Sequence, residues 1–426
     1  MTMNRFPRAL VATLVLCMTC TLVQSATVTE GSATRELKRL LADDPVFKRL
    51  LVSSIERARQ ANPDPVTNPA QNLEQYVEFI SWAERALPGD VLKQKPDATL
   101  YQRLDQSLGY LYFICDQPLD ELRGQGYFNN SLQYVEPFAS WNRGFVRSWG
   151  AFLDTPQSWN PESLRLAQAD PTFGLDHGWY ESPAHWRTFN EFFARRLKSP
   201  AERPIDAPAD PAVLVSPVDG VPQGLWAIDG GSKLVAAKGV AVKTGTVESV
   251  ERLLGDGSRY KEAFAGGTFT HVFLDVGDYH HYHFPLDGVV KEVSIIPGSE
   301  VAGGYITWDQ VNRRYAFDPS STGWQSLETR GVLILDTGAF GLVALVPIGM
   351  SPVSSVNFDP ALKEGVRVHK GDRLGNFLFG GSDFVMVFQA GYSFTPDSPR
   401  DTSGQGWAHQ LMGQRLGKLR RVAAGR

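Results

Sequence analysis

Near Pro204 the spacing of apolar residues changes period, and that change confines the chain to a fold with two unlike halves. From about Ser32 to Arg196 the pattern is mostly helical. Asp44-Pro45 reads as a cap followed by proline at the first helical position, after which Phe47, Leu50, Leu51 and Ile55 fall on one face. Leu73, Tyr76, Val77 and Ile80 predict a second helix that ends near Leu87-Pro88-Gly89, and further helices are expected around residues 101–112 and 145–152. Trp141, Trp149, Trp179 and Trp186 are expected in the core, because aromatic side chains dominate buried area.

After Pro204 helical spacing nearly disappears. Short β-branched and aromatic runs at residues 270–276, 288–296, 332–335, 342–346 and 384–388, each bounded by turn residues, predict strands. The fold class is therefore α+β, a helical N-terminal half followed by an antiparallel β-sandwich/barrel. The Pro- and Asp-rich stretch 199–211 marks the join, with a helical domain at 26–198 and a β-rich domain at 199–426. Two segments starting at Gly288 and Gly365 look alike, as copies of one strand-turn-strand unit would. At the far end Arg415, Lys418, Arg420, Arg421 and Arg426 form a basic tail, read as a solvated end with phospholipid-headgroup contact as the alternative.

At 426 residues the chain is long enough for two or three domains. Its 42% hydrophobic and 21% charged composition excludes collagen-like, coiled-coil and largely disordered classes. Forty-two Lys and Arg stand against 46 Asp and Glu without long blocks of one sign, so no nucleic-acid partner is expected. Arg5 and Arg8 precede an uncharged apolar run at 9–23 and then Ser25 and Ala26, the order of a secretory leader. Residues 1–25 are read as a signal peptide and the protein as exported, periplasmic or secreted; an uncleaved anchor is the rival. Without that segment Cys115 is the single cysteine, so stability must come from packing rather than a disulfide.

Three clusters in the β half carry chemistry. Asp219 sits in Ser216-Pro217-Val218-Asp219-Gly220, which on its own reads as a turn. Three histidines crowd into Asp278-Tyr279-His280-His281-Tyr282-His283-Phe284-Pro285, a density that packing alone rarely explains, because a buried imidazole needs polar partners. On an extended strand His281 and His283 share one face and His280 takes the other. The third cluster, Phe379-Gly380-Gly381-Ser382-Asp383-Phe384, interrupts apolar sequence with glycines that allow unusual backbone geometry, and a β-bulge is its plain reading. A serine there is placed to act as a nucleophile activated by a histidine that an acid orients, which makes Asp219, His283 and Ser382 a triad. The Gly-x-Ser-x-Gly elbow of ordinary serine hydrolases is absent. A remote alternative is an exported metal-binding β-barrel hydrolase using His271, Asp275, His281 and His283.

Taken in order, Asn190-Glu191-Phe192-Phe193-Ala194-Arg195-Arg196-Leu197, Arg203-Pro204-Ile205, Ser216-Pro217-Val218-Asp219-Gly220, Asp278-Tyr279-His280 with His283-Phe284-Pro285, and Gly380-Gly381-Ser382 resemble the phosphatidylserine decarboxylase family. The N-terminal half resembles the helical extension of a branch that includes fungal tryptophan decarboxylases, around residues 141–159 and 173–190. The resemblance implies a proenzyme that cuts itself between Gly381 and Ser382 and turns Ser382 into a covalent pyruvoyl group. Ser382 would attack the Gly381 carbonyl, with His283 as base and Asp219 orienting it. The large chain and the 45-residue small chain would remain associated. The pyruvoyl ketone would take the amine of a substrate and act as electron sink, with His280 as proton donor or carboxylate positioner and no metal. Phosphatidylserine, converted to phosphatidylethanolamine, is the expected substrate, with peripheral membrane contact; a free amino acid such as tryptophan is the alternative. The chain departs from the family pattern at His281 and Asp383, where arginine and threonine or serine are usual, which puts substrate charge preference in question.

Overall fold

The computed structural model describes residues 30–91, 98–125, 130–235, 249–298, 306–317, 323–352, 355–404 and 406–422. The leader-like segment 1–25 and Arg426 of the basic tail lie outside them. Helices α1 (Ser32–Asp43) and α2 (Pro45–Ala61) meet at Asp44, whose Oδ1 accepts the backbone N–H of Val46 and Phe47, both at 2.9 Å. α2 buries Phe47, Leu51, Ile55 and Ala58; α3 (Leu73–Ala83) buries Tyr76, Phe79, Ile80 and Ala83, the spacing of an inward stripe. α4 (Leu100–Tyr112) starts with a capping box between Thr99 and Gln102.

α5 (Phe138–Leu153) begins two turns ahead of the expected start, so that Trp141, Phe145, Trp149 and Leu153 form one buried edge. Indole N–H groups that enter a core need acceptors, and Trp141 and Trp149 donate to Ala33 O and Ala86 O at 2.8 Å. The buried Glu84 carboxylate accepts from Ala33 N, Thr34 Oγ1 and Ser148 Oγ, tying the start of α1 to α3 and α5. Trp186 is buried as expected. Trp179 is only half-buried, with the Arg203 guanidinium 4.3 Å above its ring. α6 (Pro161–Ala169) and α7 (Phe189–Phe193) complete this half, and α8 (Val250–Leu254) lies among the strands.

The strands follow in chain order as β1 (Val213–Val215), β2 (Val221–Ala227), β3 (Thr268–Leu274), β4 (His281–His283), β5 (Gly288–Ile296), β6 (Thr307–Asp309), β7 (Arg314–Ala316), β8 (Thr329–Asp336), β9 (Leu342–Pro352), β10 (Asn357–Phe358), β11 (Arg367–Val368), β12 (Arg373–Asn376), β13 (Gly380–Phe388), β14 (Tyr392–Pro396) and β15 (Arg415–Arg421). Seven form one antiparallel sheet in the order β11-β5-β8-β9-β13-β3-β2. Two smaller sheets have the orders β1-β15-β14 and β10-β12-β4, and β6 pairs with β7.

Side chains alternate along β13. Phe384, Met386 and Phe388 enter a core with Tyr282, Leu374, Leu416 and Leu419 from the small sheets, whereas Val385 and Val387 enter a second core with Trp226, Leu254, Phe269 and Trp324. The small sheets thus stack on one face of the large sheet, the sandwich arrangement. The barrel alternative is not realised, because the large sheet ends in the edge strands β11 and β2 without closing.

The expected solvated tail is instead strand β15, paired on both sides by β1 and β14; Leu416 and Leu419 alternate inward between its basic residues, which is why the segment folds back. The two look-alike segments pair with each other: Arg367 and Val368 of β11 lie opposite Val289 and Gly288 of β5. The helical core reaches into the β half through Val276, Ile306, Tyr315 and Phe379. Phe379 packs against Trp149 at 5.7 Å, Phe189 at 5.1 Å and Phe193 at 5.2 Å, so helices clamp the chain just ahead of β13. No helix among the described residues is long and apolar enough to cross a membrane.

Candidate active site

The segment that enters β13 is held residue by residue. Leu378 N donates to Ser355 Oγ at 2.7 Å and Phe379 N to Asn190 Oδ1 at 3.1 Å, while Asn190 Nδ2 donates to Asp154 Oδ1 at 2.9 Å. Gly380 then adopts φ +151°, which side chains rarely tolerate. Between Gly380 and Ser382 the register against β9 slips: Gly380 lies opposite Pro352 and Ser382 opposite Gly349. The register break of the expected bulge falls between Gly380 and Ser382.

Ser382 is fully buried, and its Oγ has no hydrogen-bond partner. A buried hydroxyl left unpaired costs about 1–3 kcal/mol, so its retention calls for a functional reason. Asp383, one residue on, is equally buried and points the other way. Its carboxylate meets His271 Nδ1 at 2.9 and 3.0 Å and accepts from Gln325 Nε2 at 3.3 Å, in the core lined by Trp226 and Phe269. This pairing was not legible beforehand, because His271 and Asp383 are 112 residues apart and meet only through the β3–β13 register.

The histidine motif divides as strand geometry predicts. His280 donates from Nδ1 to Asp278 O at 2.9 Å, which leaves the Nε2 lone pair buried and without a partner. Its ring lies 3.8 Å from Phe193, which itself packs on Phe379, and its backbone O accepts from Phe377 N at 2.9 Å. His280 is thereby tied to the segment that leads into Gly380-Gly381-Ser382. His281 and His283 line a cleft on the other side. His281 donates from Nε2 to Ala194 O at 2.9 Å; His283 donates from Nδ1 to Gly371 O at 2.9 Å and accepts the Tyr279 hydroxyl at Nε2, 3.2 Å away. Burial disfavours the imidazolium at all three: His280 and His281 are pushed down to about 3 and His283 to about 4. All three are neutral at pH 7.

Asp219 is fully buried, and its oxygens are taken by Arg203 Nε at 3.1 Å, Arg203 Nη2 at 2.6 Å and Met412 N at 2.7 Å. Burial raises its carboxyl pKa, with the Arg203 bonds opposing that shift. Asp219, His283 and Ser382 are therefore not joined by direct hydrogen bonds. Asp219 is held by an arginine, His283 by a tyrosine and a carbonyl, and Ser382 by nothing. The Arg203 partner and the Tyr279 hydroxyl lie inside the sequence motifs, but as residue types they carried no signal of these roles. The same holds for Arg195, whose buried guanidinium donates to Gly277 O at 2.5 Å and Asp278 O at 3.0 Å and so holds the loop before His280. Asp278 also pairs with His409 at 2.7 Å; burial works against the His409 imidazolium, but Asp278 prevails and raises it. Among the described residues no group of three or more His, Cys, Asp or Glu side chains is placed to hold a metal ion, and His271, Asp275, His281 and His283 do not converge.

Comparison with known proteins follows the same residues. The family profile described as phosphatidylserine decarboxylase matches residues 189–418, from α7 to β15. Similar chains include phosphatidylserine decarboxylase proenzyme 3 of Schizosaccharomyces pombe, 33% identical over 55% of this chain and 22% of that protein. The phosphatidylserine decarboxylase proenzyme of Azotobacter vinelandii is 31% identical over 57% of this chain and 84% of its own length. That of Brevibacillus brevis is 32% identical over 57% and 83%. The chain thus spans most of the two bacterial relatives and about a fifth of the fission-yeast one. The matched region contains Asp219, His280, His283 and Ser382, and the chain belongs to the phosphatidylserine decarboxylase family.

Proposed function

We propose that this protein is a self-processing, pyruvoyl-dependent carboxy-lyase that decarboxylates phosphatidylserine. The observation that carries the reading is the unpartnered, fully buried Ser382 Oγ at a glycine-built bulge. In self-cleavage the Ser382 Oγ–C bond to Gly381 forms as the Gly381–Ser382 C–N bond breaks, which gives an ester. Loss of the Ser382 Cα proton and of the Cβ–Oγ bond then releases the Gly381 carboxylate. Hydrolysis of the resulting dehydroalanine, with loss of ammonia, leaves the pyruvoyl group. The bulge relieves the backbone restraint that a regular ladder would put on this attack. We assign His283 and Asp219 to this step. The Tyr279 hydroxyl occupies His283 Nε2, so proton transfer to His283 requires that bond to open.

The residues around Ser382 fit a pyruvoyl group, since a glycine pair precedes it and its position is buried with the hydroxyl unpartnered. Once formed, the ketone supplies an electrophile for the substrate amine and an electron sink as carbon dioxide leaves. His280 is suited to hand a proton to the product carbon, because its Nδ1 is fixed on Asp278 O and its Nε2 is free. The small chain would keep β13, β14 and β15 hydrogen-bonded to β3, β9 and β1, which supports its staying associated with the large chain. Export and peripheral membrane contact belong to the proposal on the strength of the leader-like N-terminus alone. The similar proteins named above are phosphatidylserine decarboxylases, and the free-amino-acid alternative gains no support from them.

The test is an intact-mass spectrum of wild type, Ser382→Ala, His283→Gln and His280→Gln, with carbon dioxide release from phosphatidylserine micelles and from free tryptophan. A pyruvoyl-blocked small chain is expected in wild type and His280→Gln and absent from the other two, with turnover of phospholipid in wild type alone. An uncleaved wild-type chain would overturn the reading.

A further inference from the structure

Two clefts meet beside the histidine strand, and their charges are opposite. The first, of about 540 Å³, is floored by Tyr279, His281 and His283 and walled by cations, with Asp372 the one carboxylate in its lining. Two of the cations are already neutralised, Arg203 by Asp219 and Lys198 by Glu202 at 3.3 Å. The other three are less fully matched. Lys370 Nζ donates to the backbone carbonyls of Ala207 and Asp210 at 3.1 and 2.8 Å, which leaves one N–H free, and Asp287 and Asp210 act on its charge without a direct ion pair. Arg373 forms only a long ion pair, Nε to Asp359 at 3.8 Å, and donates from Nη2 to Asn376 Oδ1 at 3.4 Å. Arg196 is exposed, and its guanidinium contacts no acid or acceptor among the described residues.

The second cleft, of about 370 Å³, shares Arg196 and His281 with the first and is walled by Asp154, Glu181 and Glu191. It also contains Asn190, which binds Phe379 N, so this acidic cleft adjoins the chain just before Gly380-Gly381-Ser382. Neutral His281 stands where the two meet. A ligand with an amine at one end and an anion at the other is thereby aligned, amine toward the cleft of Asp154 and Glu181 and anion toward Arg196 and Arg373. Arginine forks and a lysine ammonium are the donors that phosphate oxygens take best.

We propose that the cationic cleft of Arg196, Lys370 and Arg373 is a phosphate subsite that holds the phosphodiester of the substrate. The identity of that ligand rests on the decarboxylase reading; the anion site does not. The probe is sn-glycerol 3-phosphate, titrated by calorimetry into purified wild type, Arg196→Gln, Arg373→Gln and the double variant, with Arg165→Gln on α6 as a charge control. Each cleft arginine removed is expected to weaken binding about tenfold, with Arg196→Lys intermediate and Arg165→Gln binding as wild type. KM for phosphatidylserine in mixed micelles should rise in step. Arg196 is exposed, so Arg196→Gln still reads the site should Arg373→Gln fail to fold. Inorganic phosphate as competitor separates the two sources of the anion: displacement assigns recognition to the phosphate group, and resistance assigns it to the ester. Binding unchanged in the cleft variants, or equally lost in Arg165→Gln, overturns the subsite. Wild type that binds glycerol 3-phosphate through these arginines but releases no carbon dioxide would overturn the decarboxylase reading and leave the anion site standing.

Discussion

Ser382 and Asp383 are neighbours in the chain and equally buried, yet β13 turns them onto opposite faces with opposite fates. Asp383 looks into the core of Trp226 and Phe269 and is met there by His271 and Gln325. Ser382 looks toward the small sheets, and its Oγ has no hydrogen-bond partner. One face pairs the Asp383 carboxylate with His271 Nδ1 and Gln325, although His271 Nε2 stays unpartnered, and ties β3 to β13; the other leaves the Ser382 hydroxyl unpaired. A paired buried carboxylate rigidifies its surroundings, whereas an unpaired buried hydroxyl costs stability.

The sharpest break of this comparison is Ser382→Ala. It should abolish the 45-residue chain altogether and, measured against the uncleaved precursor, leave urea stability equal or higher by about 1 kcal/mol, because an unpaired hydroxyl has gone. A marked loss of stability would mean that the serine is structural. Next in size is Arg203→Ala, which strands Asp219 in the core and is expected to cost about 3–5 kcal/mol in urea unfolding. Asp383→Ala should cost about 2–3 kcal/mol by leaving His271 and Gln325 unmatched. Cleavage lost at unchanged stability would place Asp383 with the chemistry rather than with the core.

A smaller effect comes from acid. His280, His281 and His283 have folded pKa values of about 3, 3 and 4 against an ordinary 6.5, so below pH 6.5 the unfolded chain binds protons that the folded chain refuses. Stability is full above that pH and falls toward pH 4 by up to about 1.4 kcal/mol per pH unit for each histidine, and His281→Gln should remove one histidine's share of that slope. Asp275 runs the other way. Burial raises it to about 6 from 3.8 even though the Tyr101 hydroxyl donates to it at 2.7 Å, so its contribution is present at low pH and lost as pH rises through 6. Asp275→Asn should therefore raise stability at pH 7.5 by about 1 kcal/mol, and the gain should vanish as pH falls toward 4.

Much of the fold was legible because it rests on local rules. The Asp44-Pro45 cap, the inward stripes of α2 and α3, and the strands at 288–296 and 384–388 follow from periodicity and capping alone. The same alternation correctly sent His281 and His283 to one side and His280 to the other. The early start of α5 escaped this reading, since tertiary packing of Trp141 against α1 extends the helix. The basic tail escaped it too, because a strand supplied with partners on both sides needs only two inward leucines to fold back.

By itself the sequence determined the halves of the molecule, the family motifs and the positions proposed to react, all properties that reside in short strings and in the period of apolar residues. The tertiary structure alone decided which buried polar groups find partners. Arg203 took Asp219, Tyr279 took His283 and His271 took Asp383, while Ser382 and His280 were left unspent. The reason is physical: a hydrogen bond is settled within about 3 Å, and groups 112 residues apart reach that range only once strand order and register are set.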